Sequence, residues 1–275
     1  MVPLLWAVLA ALVLFALLTL MKSPRHDRVW ADDVRELPRV TQTEDGITIQ
    51  NYRRWSYDAE GPTHKRWTDL APFDAEDIKD VWFVVEPHPG MPGMAHTMVV
   101  FELMDRRLLG VSVEARKEMG EPYGLARGTF NGFELIYVWA SPQDMFSRRV
   151  LVQDHDIYMY RLALKGREPQ AYLGALIDKT IAIEARPRFY NTFGSNCTNE
   201  LAKTAGLAWH PAFVLTGNSA SALHKKERIS APDGFDTLKE LARVTGTVRT
   251  YAGADEVVFN AALIDAASRQ VSPRT

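Results

Sequence analysis

The 275-residue sequence contains one cysteine, Cys197, so an intramolecular disulfide and a metal cluster held by cysteines are both excluded. It also lacks an excess of charge of one sign, because 32 Lys and Arg residues against 34 Asp and Glu residues give a formal net charge of -2. A nucleic-acid-binding protein would show a strong basic excess, and that class is therefore excluded. The sequence has no phosphate-binding GxxxxGK loop, no GxSxG nucleophile elbow and no recognisable metal-ligand spacing.

Charged residues are also missing near the N-terminus, where residues 2–21, VPLLWAVLAALVLFALLTLM, form an uninterrupted apolar run. The run is long enough to cross a bilayer core of about 30 Å, so we predict a transmembrane anchor. A cleaved signal peptide would have a cationic start and a shorter apolar stretch, and a buried core helix would carry polar positions. Lys22, Arg25 and Arg28 follow the run, which favours a cytoplasmic body, but long domains translocate regardless of such charges. Charge alone leaves the sidedness open.

The rest of the chain changes from strand-like to helix-like patterns. We predict a juxtamembrane linker at residues 22–45, where periodicity is weak, and one folded domain at residues 46–275. Alternating or apolar runs predict strands at 45–58, 80–87, 96–104, 107–118, 132–139 and 150–164, with a Pro/Gly-rich loop at 87–95. Helical spacing predicts helices at 169–185, 197–208, 237–244 and 256–268. Strands that precede helices indicate an α+β fold, an antiparallel sheet packed by helices.

The single thiol lies in the segment FYNTFGSNCTNEL, residues 189–201. Gly194, Ser195 and Asn196 are turn and N-cap residues, and Glu200 then falls in a first helical turn, so Cys197 is predicted at a helix N-terminus. There the helix dipole lowers the pKa of a thiol, and free backbone N–H groups can donate to a developing oxyanion. The alternative is a buried cysteine that serves as a small apolar side chain.

A nucleophilic thiol needs a base, and the sequence contains seven histidines. We favour His96, because it follows the Pro/Gly-rich loop and begins a strand, so that it reaches an end of the sheet. His88, inside the loop, remains a second candidate. The alternative for His96 is a histidine whose ring is satisfied by backbone groups at the start of a strand.

The base in turn needs an orienting group on its other ring nitrogen. If the hairpin turn is centred at residues 105 and 106, antiparallel pairing places about position 115 opposite His96, so we predict that Glu114 orients the imidazole. Glu102 is the alternative acid, but in the middle of a strand it is less well aimed. Glu114 could instead be a solvated carboxylate at a strand end, paired with Arg116.

Four segments in combination identify a family resemblance. NYRRWSY, AHTMVVFEL, VSVEARKE and FYNTFGSNCTNEL together resemble the Lnb-type periplasmic domain family over about residues 47–209. The best understood members of that family are bacterial lipoprotein N-acyltransferases of the second, non-nitrilase kind. The chain order, with a histidine on a strand before a cysteine on a helix, is also similar to the permuted NlpC-like branch of the papain-type fold. The resemblance therefore implies a small antiparallel sheet packed against the cysteine helix.

The resemblance also implies a reaction. Cys197 would attack an ester of a membrane phospholipid, form a thioester, and pass the acyl chain to the α-amine of a diacylglyceryl-cysteine lipoprotein. His96 would move the protons and Glu114 would hold the imidazole, without a metal or a soluble cofactor. Substrate-binding residues are expected at Tyr190, Asn196 and Arg116. The implied location is the bacterial inner membrane, crossed once, with the catalytic domain in the periplasm.

Two other functions remain open from the sequence. A papain-type cysteine peptidase or amidase acting on cell-wall peptides would use the same cysteine and histidine, although the anchor favours a lipid substrate. A non-catalytic envelope-binding protein would bury Cys197 as packing, and its thiol would be unreactive at neutral pH. Near the site, Met91, Met94, Trp139 and Phe146 are candidates for a lipid-facing surface, with the hydrophobic core as the alternative.

Overall fold

The architecture is taken from a computed structural model, which describes residues 6, 19, 21–91, 93–207, 210–229 and 234–270. Its centre is an eight-stranded sheet with the strand order β1-β2-β9-β8-β7-β6-β10, in which β5 also pairs with β2. The strands are β1 (Arg39–Thr43), β2 (Gly46–Arg53), β3 (Ser56–Tyr57), β4 (Pro62–His64), β5 (Trp67–Phe73), β6 (Ile78–Pro87), β7 (Ala95–Leu103), β8 (Leu108–Arg116), β9 (Glu134–Ala140) and β10 (Tyr158–Arg161). Strands β3 and β4 form a separate small ladder.

The helices of the described residues cover both faces of the sheet. They are α1 (Leu125–Thr129), α2 (Pro142–Ser147), α3 (Glu168–Ala185), α4 (Cys197–Thr204), α5 (Ser219–Lys225), α6 (Phe235–Ala242), α7 (Thr245–Tyr251) and α8 (Glu256–Ser268). Helices α3 to α6 pack on one face of the sheet, and helices α2, α7 and α8 pack on the other face. Because both faces are buried, the central strands read as nearly continuous apolar runs.

The predicted α+β class is confirmed, since consecutive strands β6 to β9 form an antiparallel meander packed by helices. The parallel pairing of β2 with β9 is the exception among the strand pairs of this sheet. The predicted strand at 150–164 is mostly wrong: Arg148–Val152 is a π-helical turn, and Tyr158–Arg161 alone of that segment is paired with β6. The prediction failed because an apolar run without clear alternation is compatible with a short strand and with a buried helical turn. The relation to the permuted NlpC-like fold remains a prediction.

The segment predicted as a linker, residues 22–45, is partly folded onto the domain. Trp30 is 4% exposed, and the Arg116 guanidinium lies 4.3 Å from the centre of its ring. Strand β1 then pairs with β2 in the main sheet. Burial of the indole ring and the backbone pairing hold these parts of the segment against the folded domain.

The predicted anchor, residues 2–21, lies outside the described residues except for positions 6, 19 and 21. Within the part of the chain that the structure describes, we find no helix with the length and apolar character needed to cross a bilayer.

Candidate active site

Asn196 and Cys197 begin helix α4, as the sequence predicted. Asn196 is the N-cap, and its side-chain oxygen accepts a hydrogen bond of 2.8 Å from the Asn199 amide. Its side-chain nitrogen donates to the carbonyl oxygens of Thr192 (2.7 Å) and Phe213 (2.9 Å). These three bonds join the preceding loop and the following segment to the helix, so Cys197, which is 5% exposed, has a defined position.

The loop before His96 is fastened by residues far along the chain. The Ala95 amide donates to the Thr216 hydroxyl at 2.7 Å, and the Gly217 amide donates to the Gly93 carbonyl at 2.9 Å. A Cβ atom on Gly217 would lie 3.0 Å from the Gly93 backbone, so this close approach favours glycine. The region after Thr216 therefore contributes to the site by holding the start of β7.

His96 meets the acid that the hairpin geometry predicted. Its Nε2 atom lies 2.7 Å from the Ser112 hydroxyl oxygen and 3.1 Å from Glu114 Oε1. The Ser112 hydroxyl in turn donates to Glu114 Oε1 at 2.8 Å. The alternative acid, Glu102, instead accepts hydrogen bonds from Lys79 (2.7 Å) and from the Trp82 indole (3.2 Å). Glu114 is therefore the acid that the fold places against the imidazole.

The thiol and the imidazole shift each other's protonation. Burial raises the pKa of the Cys197 thiol, but the charge of His96 and hydrogen bonds from His96 and Thr97 outweigh it, so the net shift is downward. Burial likewise disfavours the charged form of His96, yet Glu114 and Cys197 raise the pKa of His96 to about 10. The pKa of Glu114 is held well below its usual range, against the effect of burial, by His96 and Arg149. The site thus shifts Cys197 toward the thiolate and keeps the His96 imidazole protonated at neutral pH.

A second carboxylate, Glu86, flanks His96 and was missed by the sequence analysis. It lies opposite His96 in the register of β6 with β7, and its carboxylate binds Arg149 Nε and His155 Nδ1, the latter at 2.6 Å. Arg149 also reaches Glu114, with Nη2 3.3 Å from Oε1, so one guanidinium bridges the two carboxylates. The Pro/Gly-rich loop at 87–95 was the available signal, because a hairpin centred near residue 91 pairs position 86 with His96.

A cleft with a volume of about 250 Å³ is lined by Cys197, His96, Glu114, Glu86 and Arg149. Of the predicted substrate-binding residues, Tyr190 and Asn196 line the cleft, and so does His88. Burial, the charge of Cys197 and the neighbouring Tyr123 hold the pKa of Tyr190 well above its usual range, so its hydroxyl is a hydrogen-bond donor at neutral pH.

Arg116 is not part of this cleft. Its guanidinium donates to the carbonyl oxygens of Val34 (2.9 Å) and Arg35 (2.5 Å), so it holds the N-terminal segment instead of facing the thiol. Trp139 and Phe146 were candidates for a lipid-facing surface, with the core as the alternative. Both are buried in the hydrophobic core, Trp139 in one cluster and Phe146 in the other. Within the described residues, no group of three or more His, Cys, Asp or Glu side chains is placed to hold a metal ion.

Comparison with known proteins gives one match. A family model described as the Lnb N-terminal periplasmic domain matches residues 63–243, which is more than half of the chain and includes the cleft residues His96, Glu114 and Cys197. Searches of curated proteins and of solved structures find no significant match.

Proposed function

Because the chain belongs to the Lnb N-terminal periplasmic domain family, we propose that it is a thiol-dependent lipoprotein N-acyltransferase of the bacterial inner membrane. The acyl donor is a membrane phospholipid, and the acceptor is the α-amine of a diacylglyceryl-cysteine lipoprotein. The family is one of periplasmic domains. In this proposal residues 2–21 cross the membrane once and keep the periplasmic cleft close to both lipid substrates.

The observation that carries the proposal is the set of contacts around the thiol. Cys197 begins a helix and is close enough to His96 for each group to shift the pKa of the other, and the His96 ring lies 3.1 Å from Glu114. The proposed nucleophile, base and orienting acid thus lie next to one another in space. Covalent acyl transfer requires this order of groups. A cysteine that served as packing would not need a lowered pKa or an ionised partner, so the arrangement counts against the non-catalytic alternative.

In the first step, the Cys197 thiolate attacks the carbonyl carbon of the phospholipid ester, and a carbon–sulfur bond forms. The tetrahedral intermediate then breaks its carbon–oxygen bond, and the His96 imidazolium gives its proton to the departing alkoxide. The products of this step are a lysophospholipid, an acyl thioester on Cys197 and a neutral His96. Glu114 stabilises the imidazolium before the transfer and keeps the ring oriented after it.

In the second step, the lipoprotein amine attacks the thioester carbonyl while neutral His96 takes a proton from the amine nitrogen. The carbon–sulfur bond breaks and the thiolate leaves, so an amide is released and the thiolate–imidazolium pair is restored. One ring therefore serves as acid and then as base, and the protons balance over the cycle.

Both steps create a negative oxygen that needs hydrogen-bond donors. The amides of Cys197 and Thr198 precede the first intrahelical bond of α4, which runs from the Glu200 amide to the Asn196 carbonyl. We assign the oxyanion to these amides at the positive end of the helix dipole. The Tyr190 hydroxyl, which lines the same cleft, is a further donor available to the oxyanion.

The test is intact mass spectrometry of the full-length protein after incubation with phospholipid vesicles, beside a Cys197→Ala control. We expect an acyl adduct that is removed by hydroxylamine and that is absent from the control. Addition of a diacylglyceryl-cysteine lipopeptide should then discharge the adduct and yield an N-acylated peptide. If Cys197 reacts with iodoacetamide but takes no acyl group from phospholipid, the acyltransferase proposal fails and the peptidase or amidase alternative gains. If the thiol does neither, catalysis by Cys197 is refuted.

A further inference from the structure

Five large exposed apolar side chains either line the cleft or come next in sequence to a residue that lines it. They are Met91 (45% exposed), Tyr123 (48%), Leu125 (44%), Phe193 (57%) and Leu215 (52%), and we call them the apolar rim. Met91, Tyr123 and Leu125 line the cleft itself, and Phe193 and Leu215 each follow a lining residue, Thr192 and Val214. Exposed apolar side chains are ordinary when they are scattered, but a group gathered around one opening indicates a binding surface.

The helix that carries Leu125 of the apolar rim lies close to the end of the N-terminal apolar run. Helix α1 carries Leu125 of the rim, and Asn131, which follows this helix, donates a hydrogen bond of 3.5 Å to the Thr19 carbonyl oxygen. Thr19 belongs to the uncharged segment 2–21, whose length matches a bilayer core. If that segment enters a bilayer, the opening of the cleft and its rim are brought to the surface of the same bilayer.

Cationic side chains accompany the rim. Lys117 and Arg148 line the same cleft, with Arg148 paired to Asp33 at 2.7 Å. A membrane interface offers hydrocarbon next to phosphate groups, and it favours aromatic residues with a polar tip, such as Tyr123. A protein partner seated on the rim would cover the entrance to Cys197, whereas a lipid surface would supply the substrate through it.

We propose that the apolar rim docks the opening of the cleft onto the surface of a phospholipid bilayer. An acyl chain then moves from the bilayer into the cleft without crossing water. The identity of that acyl chain as the substrate rests on the proposed function, but the docking itself does not depend on catalysis.

The docking is tested by lipid quenching of a fluorescent label in the full-length protein, reconstituted in phospholipid vesicles that contain brominated acyl chains. In a Cys197→Ala background, single cysteines are introduced by Phe193→Cys and Leu125→Cys in the rim, and by Met104→Cys and Val257→Cys as controls. Met104 (64% exposed) and Val257 (75%) are exposed apolar residues that do not line the cleft, so they match the rim positions in chemistry. Brominated lipids quench at short range, so a label must enter the acyl region to respond.

We expect quenching at positions 193 and 125 to exceed that at positions 104 and 257 by about threefold or more, since a docked apolar side chain penetrates about 5–10 Å into the interface. Equal quenching at all four positions, or none at any, would overturn the proposal. The result is independent of acyl transfer because Cys197 is absent. A second variant, Phe193→Ser with Leu125→Ser, separates the two proposals further: acylation from vesicles should fall about tenfold while iodoacetamide alkylation of Cys197 stays within about twofold. Unchanged acylation in this variant would contradict docking while leaving the acyltransferase proposal intact.

Discussion

The substitution Glu114→Gln isolates the electrostatic role of the acid, because it removes one charge and keeps the shape of the side chain. Glu114 Oε1 lies 3.1 Å from His96 Nε2, and at this distance two opposite unit charges attract each other by about 5 kcal/mol if the effective dielectric constant is about 20. The net effect is smaller, since Glu114 is also shared with Ser112 and Arg149 and is partly exposed to solvent. A net loss of about 2 kcal/mol corresponds to a fall of roughly 1.5 pKa units. The pKa of His96, raised to about 10 in the native site, should therefore fall to about 8–9.

The direct assay is NMR titration of the imidazole resonances, with the His96 signal assigned by its loss in His96→Gln. A matched control is Glu102→Gln, because Glu102 is buried on β7, the strand that also carries His96, but is bonded to Lys79 and Trp82 instead of His96. The control should leave the pKa of His96 within about half a unit of the native value. In the proposed reaction the imidazolium protonates the leaving alkoxide, so the alkaline limb of adduct formation should move down in pH by the same amount. A pKa of His96 that is unchanged in Glu114→Gln would refute the reasoning.

Two further predictions concern stability. Burial raises the pKa of Glu86, but Arg149 and His155 outweigh burial and hold this pKa at about 2, against the ordinary 4.5. The ionised Glu86 carboxylate therefore stabilises the fold above pH 4.5, and this stabilisation is lost as the pH falls through about 2. Glu86→Gln should therefore lower the free energy of unfolding by about 3 kcal/mol at pH 7 and by much less near pH 2, as measured by urea denaturation; an equal loss at both pH values would contradict this. Asn196→Ala should cost about 2 kcal/mol, because a helix cap and two donated hydrogen bonds are lost, whereas Asn196→Asp keeps the cap acceptor and should cost about half as much. If Asn196→Ala unfolds at the same urea concentration as the native protein, the cap is not a stabilising contact.

The positions of Cys197, His96 and Glu114 relative to their helix and strands were predictable where local patterns sufficed. Cys197 at a helix start follows from turn and capping residues next to it, and those interactions span a few positions of the chain. Glu114 facing His96 follows from the hairpin, because a short turn sets the register of both strands. The observed register pairs Met98 with Ser112, which places Glu114 opposite His96, one position from the predicted position 115.

Two arginines have contacts that depend on distant parts of the chain. Arg149 lies in the π-helical turn Arg148–Val152, just before the range 150–164 that was predicted as a strand, and its bridge between Glu86 and Glu114 joins three separate elements. Arg116, expected at the substrate, is drawn to backbone oxygens of the N-terminal segment. Neither position could be inferred from neighbouring residues, because side-chain partners across a fold are chosen by the packing of elements that are far apart in sequence.

The sequence by itself determined the α+β class, the strand meander, the helix that begins at Cys197, and the family to which the chain belongs. Those features depend on periodicity, turn residues and short-range register, which act within one element or between two adjacent ones. The tertiary structure alone decided that Thr216 and Gly217 hold the loop before His96, that Arg149 bridges two carboxylates, and that the exposed residues Met91, Tyr123 and Leu125 line the cleft. These arrangements arise where segments separated by tens of residues meet, so their energies are settled by burial and charge pairing in the folded chain.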